Sequence, residues 1–184
     1  MIYTAITNGK DYPRTDIKVF NKYNKFKDPV MNAKIYKVLS HKYIKDEYSI
    51  WIDGNLTLKL HEEEYIKLLG DSDIAVFENP YRDCLFNEID QCIEQELDAR
   101  VALESCKRRY KGFPRHNGLG ACFLIIRRNT EQIKKLNEEW WAEICSGSRR
   151  DQISFPVVFA GVVKYLPKVD PFNNKYFTRK GHLK

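Results

Sequence analysis

Apolar residues along the chain fall into two rhythms. Short β-branched or aromatic runs at 2–6, 17–20, 48–52, 73–77 and 121–126 read as strands, and turn-forming pairs such as Asn8-Gly9 and Asn79-Pro80 close several of them. Between them apolar positions recur at helical spacing. Met31, Ile35, Val38 and Leu39 follow Asp28-Pro29, which suits an N-cap and a first helical residue, and predict a helix to about residue 43. A second helix covers 62–69 and stops at Gly70. A long, very polar helical stretch runs from 86 to 110 with a break near Asp98, and 130–145 turns Ile133, Leu136, Trp140 and Ile144 inward. Ser148-x-x-Asp151 has the form of a capping box opening a last helix through about residue 163. Strands alternating with helices predict an α/β fold with a mainly parallel sheet. No repeat, low-complexity segment or linker divides it, so one domain is expected over 1–184.

Composition narrows the class. With 43% hydrophobic and 30% charged residues among 184, the chain is an ordinary globular one with enough length for a sizeable core. The longest apolar run, 121–126, is far too short to span a bilayer. Met1 leads straight into Ile-Tyr-Thr-Ala-Ile, without the basic segment and cleavage site of a signal peptide. Five cysteines, an odd number with no C-x-x-C pair, argue against a disulfide framework and for a reducing cytoplasm. Neither they nor the four histidines show the spacing of structural zinc. The net charge of +6 favours an anionic partner. Aromatics interleave with Lys and Arg in KVFNKYNKFK (18–27) and KRRYKGFPRH (107–116). Two readings stand side by side: a nucleic-acid-binding surface on which single-strand bases stack, or solvated loops whose rings anchor them to the core.

Familiar phosphate and nucleophile motifs are missing. The chain has no G-x-x-x-x-G-K-[ST], no G-x-S-x-G and no H-E-x-x-H, and Gly118-Leu-Gly120 precedes a strand rather than following one. What remains is Asp53-Gly54-Asn55 at the C-terminal end of the strand YSIWI, the edge where open parallel sheets bind ligands. Side chains two apart in an extended segment point the same way, so two oxygen ligands there can hold a divalent metal that also touches a diphosphate. The same tripeptide is equally a hairpin turn into the short run Leu56-Thr57-Leu58.

Taken in order, DPVMNAKIYKVLSHKY, YSIWIDGN, NPYRDC, GLGACFLIIRR, EEWW and SRRDQISF resemble the small bacterial and phage glycosyltransferase-like family of GT-A type, over nearly the whole chain. The resemblance implies a nucleotide-diphospho-sugar transferase fold: a Rossmann-like, mainly parallel sheet flanked by helices. Its first strand, here at Thr4 and Ala5, meets the nucleotide. An Asp-x-Asp-type motif, here Asp53-x-Asn55, holds Mn²⁺ or Mg²⁺ and the donor diphosphate. His182 is similar to a C-terminal histidine that some such enzymes add as a third metal ligand, with Lys184 near the diphosphate, although a chain end is equally a frayed tail. Asp151-Gln152 resembles an acid–amide pair facing donor sugar and acceptor: Asp151 as general base or sugar-positioning group, Gln152 orienting the sugar. Glycosyl transfer also needs the leaving diphosphate neutralised. Lys34 and Lys37, a turn apart, and Arg82 have the right chemistry for that, their alternatives being surface lysines and a salt bridge to a nearby acid. Trp140 falls on the core stripe, whereas its neighbour Trp141 either lines a sugar site or fills the core. The expected function is transfer of a sugar from a nucleotide-sugar donor to an unidentified acceptor, glycan or nucleic acid.

Overall fold

A computed structural model of the chain describes residues 1–9 and 11–181. In chain order its elements are β1 (Ile2–Ala5), β2 (Lys18–Phe20), α1 (Pro29–Val38), α2 (Ser40–Tyr43), β3 (Tyr48–Ile52), β4 (Leu56–Leu58), α3 (Glu62–Leu69), β5 (Ile74–Glu78), α4 (Leu85–Glu94), α5 (Arg100–Arg109), β6 (Gly120–Arg128), α6 (Glu131–Ser146), α7 (Asp151–Val158), β7 (Val163–Leu166) and β8 (Phe177–Arg179). The main sheet has the order β2-β1-β3-β6-β5-β7. Parallel pairing joins β1 to β2 and β3, and β5 to β7; β6 runs against both its neighbours. The carboxyl ends of β1, β3 and β5 therefore meet the amino end of β6 at one edge. No helix among the described residues is long and apolar enough to cross a membrane.

Strand alternation divides the core between the two faces. Trp51, Ile74, Val76 and Ile125 point to the face covered by α1, α6 and α7. Ile50, Ile52, Ala75, Phe77, Leu124 and Ile126 point to the other, under α3 and the β4–β8 ribbon. A satellite core joins α4 and α5 through Ile89, Cys92, Leu103 and Cys106 to Ile153 of α7. The long polar helix expected at 86–110 is thus two helices, and Glu96 in the break takes a left-handed φ of 52°. Register slips between Val76 and Phe77, so that β6 bulges over residues 122–124. Gly120 permits the close approach there: a Cβ on it would lie 2.7 Å from Val76 Cγ2.

Three expectations change. Asp53-Gly54-Asn55 does turn, with Leu56 N donating to Asp53 O at 2.9 Å, but β4 pairs with β8 and not β3. The turn moves the chain from the main sheet into a second ribbon, so it closes no hairpin. Ser148 is not the cap of the last helix: its hydroxyl donates to Asp98 Oδ2 at 2.6 Å and accepts from Arg150 N, while Arg150 occupies the N-cap. That helix ends at Val158, soon after Pro156, and residues 163–166 form the edge strand β7. The rings of the basic stretch at 18–27 are turned inward, Phe20 stacking on Tyr36 at 4.7 Å and Phe26 packing on Trp141. Trp141 is therefore a packing residue, and Trp140 is wholly buried against Phe155 and Phe159.

Arg127, fully buried on β6, was not visible as a functional residue. It donates to Lys37 O at 2.6 Å, Val38 O at 3.4 Å, Asn137 Oδ1 at 3.1 Å and Tyr3 Oη at 3.1 Å. A cation is thereby placed on the last carbonyls of α1, where the helix dipole favours it, and it fixes the turn that carries Lys37. Arg127→Leu leaves those carbonyls buried and unmet, at an expected cost of about 3 kcal/mol. Thermal unfolding should show a fall of roughly 6–12 °C for a chain of this size; a melting temperature within about 1 °C of the parent would remove Arg127 from this role.

Candidate functional site: a charged cavity at the sheet edge

At the edge where β1, β3 and β5 end lies a cavity of about 630 Å³. Ala5 and Trp51 line it from the sheet, Lys34 and Lys37 from α1, Asp53 and Gly54 from the turn after β3, Ala121 to Phe123 from the β6 bulge, and Arg150 to Gln152 from the start of α7. Helix α1 is set by its expected cap: Asp28 Oδ1 accepts from Val30 N at 2.9 Å, and Pro29 stands at the first helical position. Lys34 and Lys37 then project from one side of the helix toward the amino end of α7.

These side chains form a chain of ion pairs. Lys37 Nζ lies 2.6 Å from Asp151 Oδ2 and 3.3 Å from Asp53 Oδ1, and Lys34 Nζ lies 3.1 Å from the same Asp151 oxygen. Trp51 Nε1 donates to Asp53 Oδ1 at 2.9 Å, and the Lys37 ammonium sits over the Trp51 ring. Burial alone would raise the Asp151 pKa, yet Lys34 and Lys37 outweigh it and hold the carboxyl well below the usual carboxylate range. Lys37 responds the other way: burial opposes its charge, but Asp151 and Asp53 raise its pKa. Lys34 is lowered, burial prevailing over its single close carboxylate. Gln152 joins the start of α7 to β6, its Nε2 donating to Gly120 O at 3.2 Å, and Trp140 Nε1 donates to Asp151 O.

The structure brings together most of the residues expected from sequence. Ala5, Lys34, Lys37, Asp53, Arg82, Asp151 and Gln152 all line the cavity. Arg82 also carries the salt bridge that was its alternative, Nε to Glu88 Oε2 at 2.5 Å, with Glu88 buried beneath it. Thr4 is buried and lies outside the lining; its hydroxyl has no hydrogen-bond partner among the described residues. Asn55 is also outside it. Its Nδ2 donates to Lys180 O at 3.1 Å and its main-chain O accepts from Lys180 N at 2.9 Å, so the residue clamps the segment after β8. His182 and Lys184 lie outside the described residues. Among those described, no group of three or more His, Cys, Asp or Glu is placed to hold a metal ion. Lining residues not foreseen include Asp11, Asn79, Glu88, Arg150 and Arg179. Arg150 stood within the SRRDQISF motif, whereas Arg179 reaches the cavity only through the β4–β8 pairing, which no local pattern signals.

The fold is similar to that of the WbbM bifunctional glycosyltransferase in its apo form, with a TM-score of 0.52 and 10% identity over 81% of this chain. The likeness is one of fold, and the chain corresponds to 26% of that protein's length. Residues 16–179 match the model of the TOD1/MUCI70 glycosyltransferase-like domain, and the chain belongs to that family. No curated protein matches it in sequence. The resemblance drawn from the motifs therefore holds at the level of a glycosyltransferase-like family.

Proposed function

We propose that the chain transfers a sugar from a nucleotide-diphospho-sugar to an acceptor hydroxyl, with the cavity as the donor's seat. The observation that carries this reading is the Asp53–Lys37–Asp151–Lys34 chain of ion pairs, buried at Lys37 and Asp151, facing a cavity at the sheet edge in a chain of a glycosyltransferase-like family. Its volume falls in the range of small-molecule sites. In the reaction the anomeric C–O bond breaks with its electron pair on the phosphate oxygen. The acceptor oxygen bonds the anomeric carbon, and its proton passes to the departing phosphate or to water. Cations beside that phosphate stabilise the charge that develops on it.

Asp151 and Gln152 are assigned to the donor sugar. Effective general bases have a pKa near the working pH, and a carboxyl held far below it is a weak one. Asp151 is therefore better suited to accept hydrogen bonds from sugar hydroxyls, anchored by two lysines, than to abstract the acceptor's proton. Gln152, tied to Gly120 O, orients the sugar beside it. Ala5, at the end of β1, lies where the nucleotide enters. A thermal-shift screen of UDP-, GDP-, CMP- and dTDP-sugars tests the assignment. At about a hundredfold excess over Kd, the right donor stabilises by roughly 2.7 kcal/mol and raises the melting temperature by several degrees. No shift with any of them at millimolar concentration would remove the donor reading.

A further inference from the structure

We propose that the donor's diphosphate is held here by Arg150 and Arg179, with Lys34 and Lys37 behind them, in place of the divalent metal that an Asp-x-Asp motif binds. This rests on the nucleotide-sugar reading of the cavity. Two observations carry it. The first is that Asp53-x-Asn55 does not form a ligand pair. A Mg²⁺ or Mn²⁺ bound beside a nucleotide takes one or two protein carboxylates together with substrate phosphates and water, so the motif depends on what Asp53 and Asn55 can each offer. Asn55 is 8% exposed, faces away from the cavity and spends its amide and carbonyl on Lys180. Asp53 Oδ1 already receives the Trp51 indole N–H and the Lys37 ammonium, so a cation is built into that carboxylate's surroundings. These residues do not fit a Mn²⁺ or Mg²⁺ site.

The second observation is where the cavity's positive charge is left over. Asp53 and Asp151 are matched by Lys34 and Lys37, and Glu88 by Arg82, which leaves Asp11 as the one further acid of the described lining against two arginines. Arg150 and Arg179 line the same cavity, and neither has a carboxylate within ion-pair distance among the described residues. The Arg150 Nε is moreover buried without a hydrogen-bond partner. A diphosphate diester carries two negative charges, and planar guanidinium forks suit phosphate oxygens. When the sugar leaves, the added charge falls on an oxygen beside cations already in position, which lowers the cost of its development.

Isothermal titration with UDP, GDP, CDP and dTDP, in EDTA and again with added Mn²⁺, tests the proposal. Expected is binding of at least one nucleoside diphosphate in EDTA, changed less than about twofold by Mn²⁺. Arg150→Gln and Arg179→Gln should each weaken it roughly tenfold or more, as befits a lost charged hydrogen bond. Arg179 is exposed and Arg150 only half-buried, so both variants should keep the parent's melting temperature, which serves as the folding control. Binding that vanishes in EDTA, returns with Mn²⁺ and ignores both substitutions would overturn the proposal while leaving the donor reading intact. No binding under either condition would overturn both.

Discussion

Asp151→Ala should destabilise the protein by about 3–5 kcal/mol at neutral pH, the range for removing one partner of a buried ion pair. Its side chain is 9% exposed and is shared by two lysines whose side chains are themselves largely buried. Without it Lys34 loses its close counter-ion and Lys37 keeps only Asp53, so two charges remain out of water with half their compensation. The pH dependence has a definite sign. Asp151's folded pKa lies below its unfolded value, so its contribution is fully present above about pH 4 and is lost as pH falls through the folded value. Lys37 behaves oppositely, its contribution being present below about pH 10.4 and lost as pH rises through its raised value. Urea unfolding from pH 3 to 9 should therefore show a gap between parent and variant that is level from pH 6 to 9 and narrows in acid. Asp151→Ala with Lys34→Met should recover part of the loss. A gap below about 1 kcal/mol at pH 7 would mean that the network contributes little to folding.

The second large effect concerns turnover. Asp151→Asn keeps the size of the side chain and the Trp140 contact to the main-chain oxygen, while removing the charge that the lysines anchor. If Asp151 holds the sugar's hydroxyls in the transition state, kcat should fall about 10²–10³-fold, comparable to loss of one preorganised contact to the reacting group. The loss should appear in kcat more than in KM, since diphosphate and nucleotide contacts persist. Circular dichroism at the assay temperature separates this from unfolding. Turnover within about twofold of the parent would leave Asp151 a structural member of the ion-pair chain and move the sugar site elsewhere.

Much of this architecture was legible because local pattern and tertiary role agree. β1, β3, β5 and the heart of β6 are apolar runs buried on both faces, and α1 announces itself through Asp28-Pro29. The apolar period of α7 carries a helical reading on to about residue 163, whereas the helix stops at Val158 and pairing with β5 makes 163–166 a strand. β8 is three residues long and exists through its partner β4, more than a hundred residues away in sequence. The site divides the same way. Asp53, Lys37, Asp151 and Gln152 sit at or near element ends that periodicity locates, with Lys34 one turn before Lys37, and the sheet edge gathers them. Asn55 turned elsewhere because the Lys180 backbone claims it, Ser148 because Asp98 does. Both partners are remote in sequence, so neither orientation follows from spacing. Arg127 lies just past the apolar run 121–126, yet β6 continues through it and strand alternation puts it inside and Arg128 at the rim.

Donor turnover by the parent protein tests the central claim most directly. Incubated with each of the UDP-, GDP-, CMP- and dTDP-sugars and followed by mass spectrometry, the folded protein should convert one donor to free nucleotide, with the sugar released to water or passed to an acceptor. Asp151→Asn should leave that donor nearly intact over the same time. If the folded parent consumes none of the donors and none of them shifts its melting temperature, the cavity is not a nucleotide-sugar site.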